Sequence, residues 1–419
     1  MYHRTLLPNG VRVVSEYLPY VRSISLGVWF ETGSRDELPE ERGLAHFIEH
    51  MVFKGTERYS ARDMAEVMDQ CGGHLNAFTG KEHTCYFARV LDQDFPTAVD
   101  LLHQMLAHPL FYEEEIAKEQ GVVLEELNMA EDEPDELVHD LFSEALWPGH
   151  PLGRNILGAK DTILRFDRAK ILDFMRRNYT TDRLVIACAG SVEHERLVEE
   201  FASRFQAVPV GIHRPEVVPE AKRGSILVRE RDTEQVYLCV GVPALRRNDP
   251  RKVVLYLLDS IIGGGVSSLL FQELREERGL VYNTYSFHAS YRDTGLFSIF
   301  AGFSRQNLDE VLSVITKQLS RLGKSITDDV LQRAKGQFIG STLLSLESMS
   351  SRMTNLAKNE INYGRIVTID ELVEAVQRVT REEVIELAEA LFHPASLTLA
   401  AVGPLNNIAW GDLNCRKIC

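Results

Sequence analysis

Short apolar, β-prone stretches alternate along the chain with longer segments whose apolar residues recur at three and four. Residues 7–11, Leu-Pro-Asn-Gly-Val, set Asn-Gly between apolar residues and predict a hairpin. A strand is expected at 24–30. Helices follow at 43–53 and at 62–71, the second with Ser60 as N-cap and Gly72-Gly73 as stop. Strands are expected at 74–79 and 84–90, helices at 95–107, with Pro96 early, and at 113–130, and a buried strand at 184–189. Between Pro209 and Gly224 three prolines and little periodicity predict a linker.

The same order then recurs. Residues 25–30 have a counterpart at 237–242, and the helix carrying Glu49 has one carrying Asp259, 210 residues on. Gly121 matches Gly336, and Tyr179, Leu184 and Gly190 match Phe392, Leu397 and Gly403. Order-preserving matches at nearly constant offset imply a duplication. The expected fold is α+β in two homologous domains, 1–208 and 225–419 joined by a linker at 209–224, each a mostly antiparallel sheet packed with helices.

The 419 residues carry 46 Lys and Arg against 61 Asp and Glu, a net charge of −15, which argues against nucleic acid as a partner. No apolar run reaches the roughly 20 residues of a membrane span, and the start lacks the apolar stretch of a secretory signal. Six cysteines are too sparse for a disulfide scaffold, and Cys415 and Cys419 have no neighbouring His or Cys to complete a zinc set. A cytoplasmic, reduced protein is expected.

Candidate chemistry is concentrated in His46-Phe47-Ile48-Glu49-His50. On a helix the two histidines are one turn apart and about 40° apart around the axis, so both imidazoles reach one ion. Glu49 falls about 60° to the other side of His46, near the metal and placed to accept a proton from attacking water. Zinc suits two imidazoles and a carboxylate, and the fourth position stays open. His-x-x-Glu-His arises by chance in about one or two per cent of chains this long, so a third ligand has to be found elsewhere. The stretch 113–136 holds eleven acids and one base, Lys118, and most of it reads as a solvated face. Glu119 and Glu126 share a helical face, but spacing alone leaves Glu119, Glu125 and Glu126 nearly tied.

The pentapeptide, with Glu126 76 residues after His50 and Glu119 seven before it, resembles the pitrilysin-type family of inverted-motif zinc peptidases, which includes insulin-degrading enzyme and the mitochondrial processing peptidase. The likeness is strongest to bacterial relatives of the processing peptidase β-subunit and spans essentially the whole chain. Residues 43–56, 75–79, 150–154 and 275–282 carry it with the pentapeptide. The resemblance implies His46, His50 and Glu126 as zinc ligands, Glu49 as general base, and Glu119 as a carboxylate behind the ligands. It also implies that Arg275 and Tyr282, seven apart, contact substrate near the scissile bond and help stabilise the oxyanion.

In the second half Tyr256 and Ser260 stand where His46 and His50 do, and Ala334 and Ser341 where Glu119 and Glu126 do, so one zinc per chain is expected. Gly263-Gly264-Gly265 lacks the Gly-Lys-Ser/Thr of a phosphate loop and reads as a hinge or a tight strand–helix connection. Residues 74–79, as an edge strand, would add an extended peptide through main-chain bonds, with Asn76, Ala77 and Thr79 lining the groove. The expected activity is that of a zinc metalloendopeptidase cutting extended peptides or short unfolded polypeptides, with basic peptides drawn by the acidic stretch. By family analogy two copies, each half of a clamshell, close round a chamber as a homodimer. A non-catalytic scaffold or peptide-capturing subunit of the same fold is the rival.

Overall fold

A computed structural model of the chain describes residues 2–205, 208–211, 217–393 and 396–406, which leaves Cys415 and Cys419 and part of the expected linker outside the described residues. Asn9-Gly10 turns the chain tightly: the Leu7 N–H donates to Val11 O at 2.8 Å, and Gly10 takes a φ of +95°, which a glycine adopts without steric penalty. The strands on either side are β1 (Tyr2–Leu6) and β2 (Arg12–Tyr17), and β3 (Ser23–Phe30), β4 (His74–Thr79), β5 (Thr84–Leu91) and β6 (Leu184–Gly190) complete a six-stranded sheet in the order β1-β2-β6-β3-β5-β4. Only β2 and β6 run parallel, and β4 is an edge. A second sheet holds β7 (Ile226–Glu230), β8 (Val236–Pro243), β9 (Asn283–Ser290), β10 (Gly295–Phe303) and β11 (Thr398–Gly403) in the order β7-β11-β8-β10-β9.

Leaving out β1, the two orders are identical, β2 answering to β7, β3 to β8, β4 to β9, β5 to β10 and β6 to β11. Each sheet is antiparallel except for one parallel pair in the same place, β2 with β6 and β11 with β7. The fold is α+β with two sheets and many helices. The duplication in the sequence is a duplication of topology.

Two compact units result, and neither is a continuous stretch of chain. One is formed by the described residues of Met1–Asn128, Asn155–Glu216 and Ser345–Val367; the other by those of Met129–Arg154, Val217–Leu344 and Thr368–Cys419. Each therefore borrows a helix from the other half of the sequence. Met349–Tyr363 lies on the first sheet, where Met353, Leu356 and Ala357 pack on Val14, Trp29, Cys85, Val185 and Ala187. Pro134–Leu146 lies on the second, where Leu137, Val138, Leu141 and Phe142 meet Cys239, Phe300, Ala400 and Val402. The two borrowed helices hold matching places in the sequence, directly after Glu113–Asp132 and Asp328–Ser345. Gly27 is required by the first contact, because a Cβ there would stand 2.5 Å from Met353 Sδ and 2.6 Å from Trp29 Nε1.

The other face of each sheet carries the main core. In the first unit the helices Leu44–Met51 and Phe95–Ala107 bury Phe47, Ile48, Val99 and Leu102 with Val28 and Phe30 of β3. No helix among the described residues is long and apolar enough to cross a membrane. Gly263–Gly265 joins the helix Lys252–Ile262 to the helical turn Phe271–Glu277, so it links helix to helix and not strand to helix.

Candidate metal centre

The helix Leu44–Met51 has eight residues and buries Leu44, Ala45, Phe47, Ile48 and Met51, so His46, Glu49 and His50 fall together on its other face. An isolated helix this short is not stable, and its entry is fixed from outside. Gly43 takes a φ of +91°, and a Cβ there would meet Leu157 O at 2.5 Å. From the other side the buried Glu37 carboxylate accepts the Gly43 N–H at 2.9 Å and the Ala45 N–H at 2.8 Å, satisfying two of the helix's four orphan donors. Burial pushes the Glu37 carboxyl up to about 8, against the pull of those two N–H groups. This anchor was not visible in the sequence, since Glu37 acts on backbone and belongs to no motif.

The helix Glu113–Asp132 supplies the carboxylates. Of the eleven acids of 113–136 only Glu119 is buried; Glu115 and Glu126 are half-buried, and Glu125 is exposed. Glu126 Oε2 lies 3.7 Å from His46 Nε2 and 3.5 Å from His50 Nε2, and the three donor atoms all lie within 4.8 Å of one another. A tetrahedral zinc with bonds of about 2.0–2.1 Å needs ligand atoms about 3.3–3.5 Å apart, so the three donors fit such an ion with little movement. The His46 and His50 rings stand 4.6 Å apart at 62°, each presenting an edge nitrogen. Among the described residues these three side chains form the one His, Cys, Asp and Glu group able to hold a metal.

Glu119 stands behind His50. Its Oε1 accepts from His50 Nδ1 at 2.8 Å, which leaves Nε2 with its lone pair toward Glu126. Its Oε2 is 2.6 Å from the Lys54 ammonium. Burial works against the Glu119 charge, but His50 and Lys54 outweigh it and hold the carboxyl below its ordinary value. His50 follows the same balance in reverse: burial disfavours its charge, and Glu119, Glu126 and Glu49 together raise it above an ordinary histidine. Burial, then the neighbouring His50, lowers His46 to about 4, with Glu119 opposing. The His46 Nδ1 is buried and has no hydrogen-bond partner among the described residues.

Glu49 is raised above the ordinary carboxylate value, chiefly by burial, with the neighbouring Thr79 opposing the shift. Its Oε2 and the Thr79 hydroxyl are both buried and neither has a well-formed hydrogen bond. Thr79 brings the end of β4 to Glu49. Along β4 the side chains alternate: Asn76 is exposed and bonds locally to the Ala77 N–H, Ala77 is buried in the core, and Thr79 is half-buried. Asn76 therefore faces away from Ala77 and Thr79, and the three side chains do not share one face.

Arg275 and Tyr282 belong to the second unit. Arg275 is exposed on the helical turn Phe271–Glu277, its guanidinium 5.1 Å from the Phe271 ring centre and without an ion-pair partner among the described residues. Tyr282 is 60% exposed, and its backbone N–H donates to Gly302 O. No role for Lys54 was read from the sequence; it stands four residues after His50, just beyond the end of the helix that carries the histidines.

A family model described as Insulinase (Peptidase family M16) matches residues 12–160, and one described as Peptidase M16 inactive domain matches residues 165–338. The chain is 41% identical to the uncharacterized zinc protease YmxG of Bacillus subtilis, over 97% of this chain and 100% of that one. It is 39% identical to an uncharacterized zinc protease of Streptomyces coelicolor, over 96% of this chain and 90% of that one. Among solved structures, a protease from Helicobacter pylori superposes with a TM-score of 0.88 at 22% identity, over 96% of this chain and 99% of that one, and speaks for the fold alone.

Proposed function

The chain belongs to the insulinase family, peptidase family M16, and from that premise we propose that it is a zinc-dependent metalloendopeptidase hydrolysing extended peptides or short unfolded polypeptides. The observation that carries the reading is the convergence of His46, His50 and Glu126 on one point, with Glu49 on the same helix face. Zinc held by these three residues would supply a Lewis acid that polarises the scissile carbonyl and acidifies the attacking water. Glu49, buried and raised above the usual carboxylate range, takes the proton from that water and returns it to the departing amine. Glu119 keeps the His50 ring turned by its hold on Nδ1. One zinc per chain is proposed, because Tyr256, Ser260 and Ser341 occupy the ligand positions in the second unit.

The edge position of β4 supports capture of a peptide as an added strand, and with Ala77 buried and Asn76 turned outward the main chain carries that contact. Such a mode reads extension more than side-chain identity, which suits unfolded substrates. Arg275 and Tyr282, both exposed, are proposed to hydrogen-bond substrate near the scissile bond, and a homodimer closing round a chamber is proposed on family analogy. Metal analysis together with cleavage of a quenched peptide library by wild type and Glu49→Gln tests the reading. Zinc bound by both proteins, with activity falling about 10²- to 10⁴-fold in the variant, is expected. Equal activity in the two, or stoichiometric zinc without cleavage, would refute it.

A further inference from the structure

We propose that Lys54 is a positioning residue of the metal centre: its ammonium fixes Glu119, and through Glu119 the ring of His50, so that His50 presents Nε2 to the ion. The inference deepens the proposed function and rests on its assignment of His50 as a ligand. Glu119 sits between two donors, with one oxygen 2.8 Å from His50 Nδ1 and the other 2.6 Å from Lys54 Nζ. Its side chain is 4% exposed, so water cannot take over the place of either donor. A carboxylate held at both oxygens cannot turn about its terminal torsion, whereas one held only by an imidazole can.

Lys54 is built to reach that oxygen. It follows the helix Leu44–Met51 in a turn closed by its own N–H, which donates to Met51 O at 3.1 Å, so its backbone is tied to the element that carries the histidines. Its side chain is 30% exposed, and the ammonium keeps contact with water while its inner side meets the buried acid. Removing the ammonium would leave a buried carboxylate with a single partner, a costly arrangement that relaxes by moving the carboxylate or the ring.

The duplication supplies an internal comparison. At the offset of the two helices, 210, Lys54 corresponds to Gly264; Glu119 corresponds to Ala334, and His50 to Ser260. Where the ligand is lost, the acid and the base behind it are both lost. A lysine kept for solubility or for a surface ion pair has no reason to follow the ligand.

The test is the zinc affinity of wild type, Lys54→Met, Lys54→Arg, Glu119→Gln and the Lys54→Met/Glu119→Gln double variant, read by competition with a chromogenic chelator. Lys54→Met, similar in length and uncharged, should weaken zinc binding about 10- to 100-fold, the range typical of groups that orient a metal-bound histidine. Lys54→Arg should restore most of the loss, and the double variant should bind no more weakly than Glu119→Gln alone. Wild-type affinity in Lys54→Met, additive losses in the double variant, or a metal-free melting temperature that falls while zinc affinity stays put would each overturn the proposal and leave the peptidase reading standing. A wild-type chain that binds no zinc would remove both.

Discussion

The two units carry the same strand order and, at the same place, a carboxylate on a helix that packs beside the sheet, yet they treat that carboxylate in opposite ways. Tracing the register across the sheets, Phe30 pairs with Thr84 and Thr84 with Thr79; Val242 pairs with Phe297 and Phe297 with His288. His288 thus stands where Thr79 does, and by the same route Ser286 stands where Ala77 does. In the second unit Asp259 is tied at both oxygens, by the Ser286 hydroxyl at 2.5 Å and by His288 Nδ1 at 2.8 Å. In the first, Glu49 Oε2 and the Thr79 hydroxyl lie buried side by side, and among the described residues neither makes a well-formed hydrogen bond. A buried polar group left unpaired costs about 1–3 kcal/mol, and the second unit has closed that gap while the first has kept it open. On the function proposed above, Glu49 keeps an oxygen for the proton it takes, whereas Asp259 has no such duty and is tied down. On that proposal the contrast between Glu49 and Asp259 separates a copy that carries the chemistry from one that carries structure alone.

The comparison breaks most sharply at the metal. Glu126→Gln or His46→Ala should reduce zinc from one per chain to a fraction of that at micromolar free metal, while Asp259→Asn leaves the count at one, as read by elemental analysis after dialysis. Two zinc ions per wild-type chain would end the contrast. The next effect is on stability. Ser286→Ala with His288→Thr gives Asp259 the surroundings that Glu49 has, and should destabilise the second unit by about 1–3 kcal/mol for the carboxylate left unsatisfied. Denaturant unfolding would show the loss with zinc content unchanged. An unfolding curve identical to wild type would mean that the two bonds to Asp259 are idle, and that the first unit gives up nothing by leaving Glu49 free.

Much of this frame can be read in the sequence because it rests on local rules. The Asn9-Gly10 hairpin, the helix capped by Ser60, and the strands on either side of the 80–83 turn all appear within a residue or two of their expected ends. The helix expected to run to residue 53 stops at Met51, and Phe53 and Lys54 close as tight turns on His50 O and Met51 O. The exchange of the helices Pro134–Leu146 and Met349–Tyr363 was not legible, since an amphipathic period says that a helix has a face to bury but not which sheet buries it. The tie between Glu119, Glu125 and Glu126 had a similar cause: spacing puts several carboxylates within reach, and only the rotation of the helix against the core separates the buried Glu119 from the exposed Glu125. Lys54 and Glu37 were missed because they act on another residue's side chain and on backbone, contacts that no spacing encodes.

The smallest effect compares how the two matching helices are entered. Glu37, 5% exposed, receives two N–H groups at the start of Leu44–Met51, and burial raises it to about 8, with the nearby Glu41 charge adding to the rise and Lys81 opposing it. Two residues before the N-cap of Lys252–Ile262, Asp249, near the surface, accepts the Arg251 N–H at 2.9 Å and is lowered by its bonds to the Arg251 side chain. The signs are therefore opposite. A carboxyl raised on folding binds more protons in the native than in the unfolded chain, so stability from Glu37 is full below its unfolded value near 4.5 and is lost as pH climbs toward 8. A carboxyl lowered on folding contributes above its unfolded value near 3.8 and loses that contribution as pH falls through the native one. Between pH 5 and 8 the melting temperature of wild type should thus fall more than that of Glu37→Gln, which has nothing to ionise, while Asp249→Asn should leave that slope alone, lying a constant step below wild type and converging on it only in acid. Parallel pH profiles for wild type and Glu37→Gln would mean that Glu37 is already ionised at pH 5, held there by the two N–H groups of Gly43 and Ala45 against its burial.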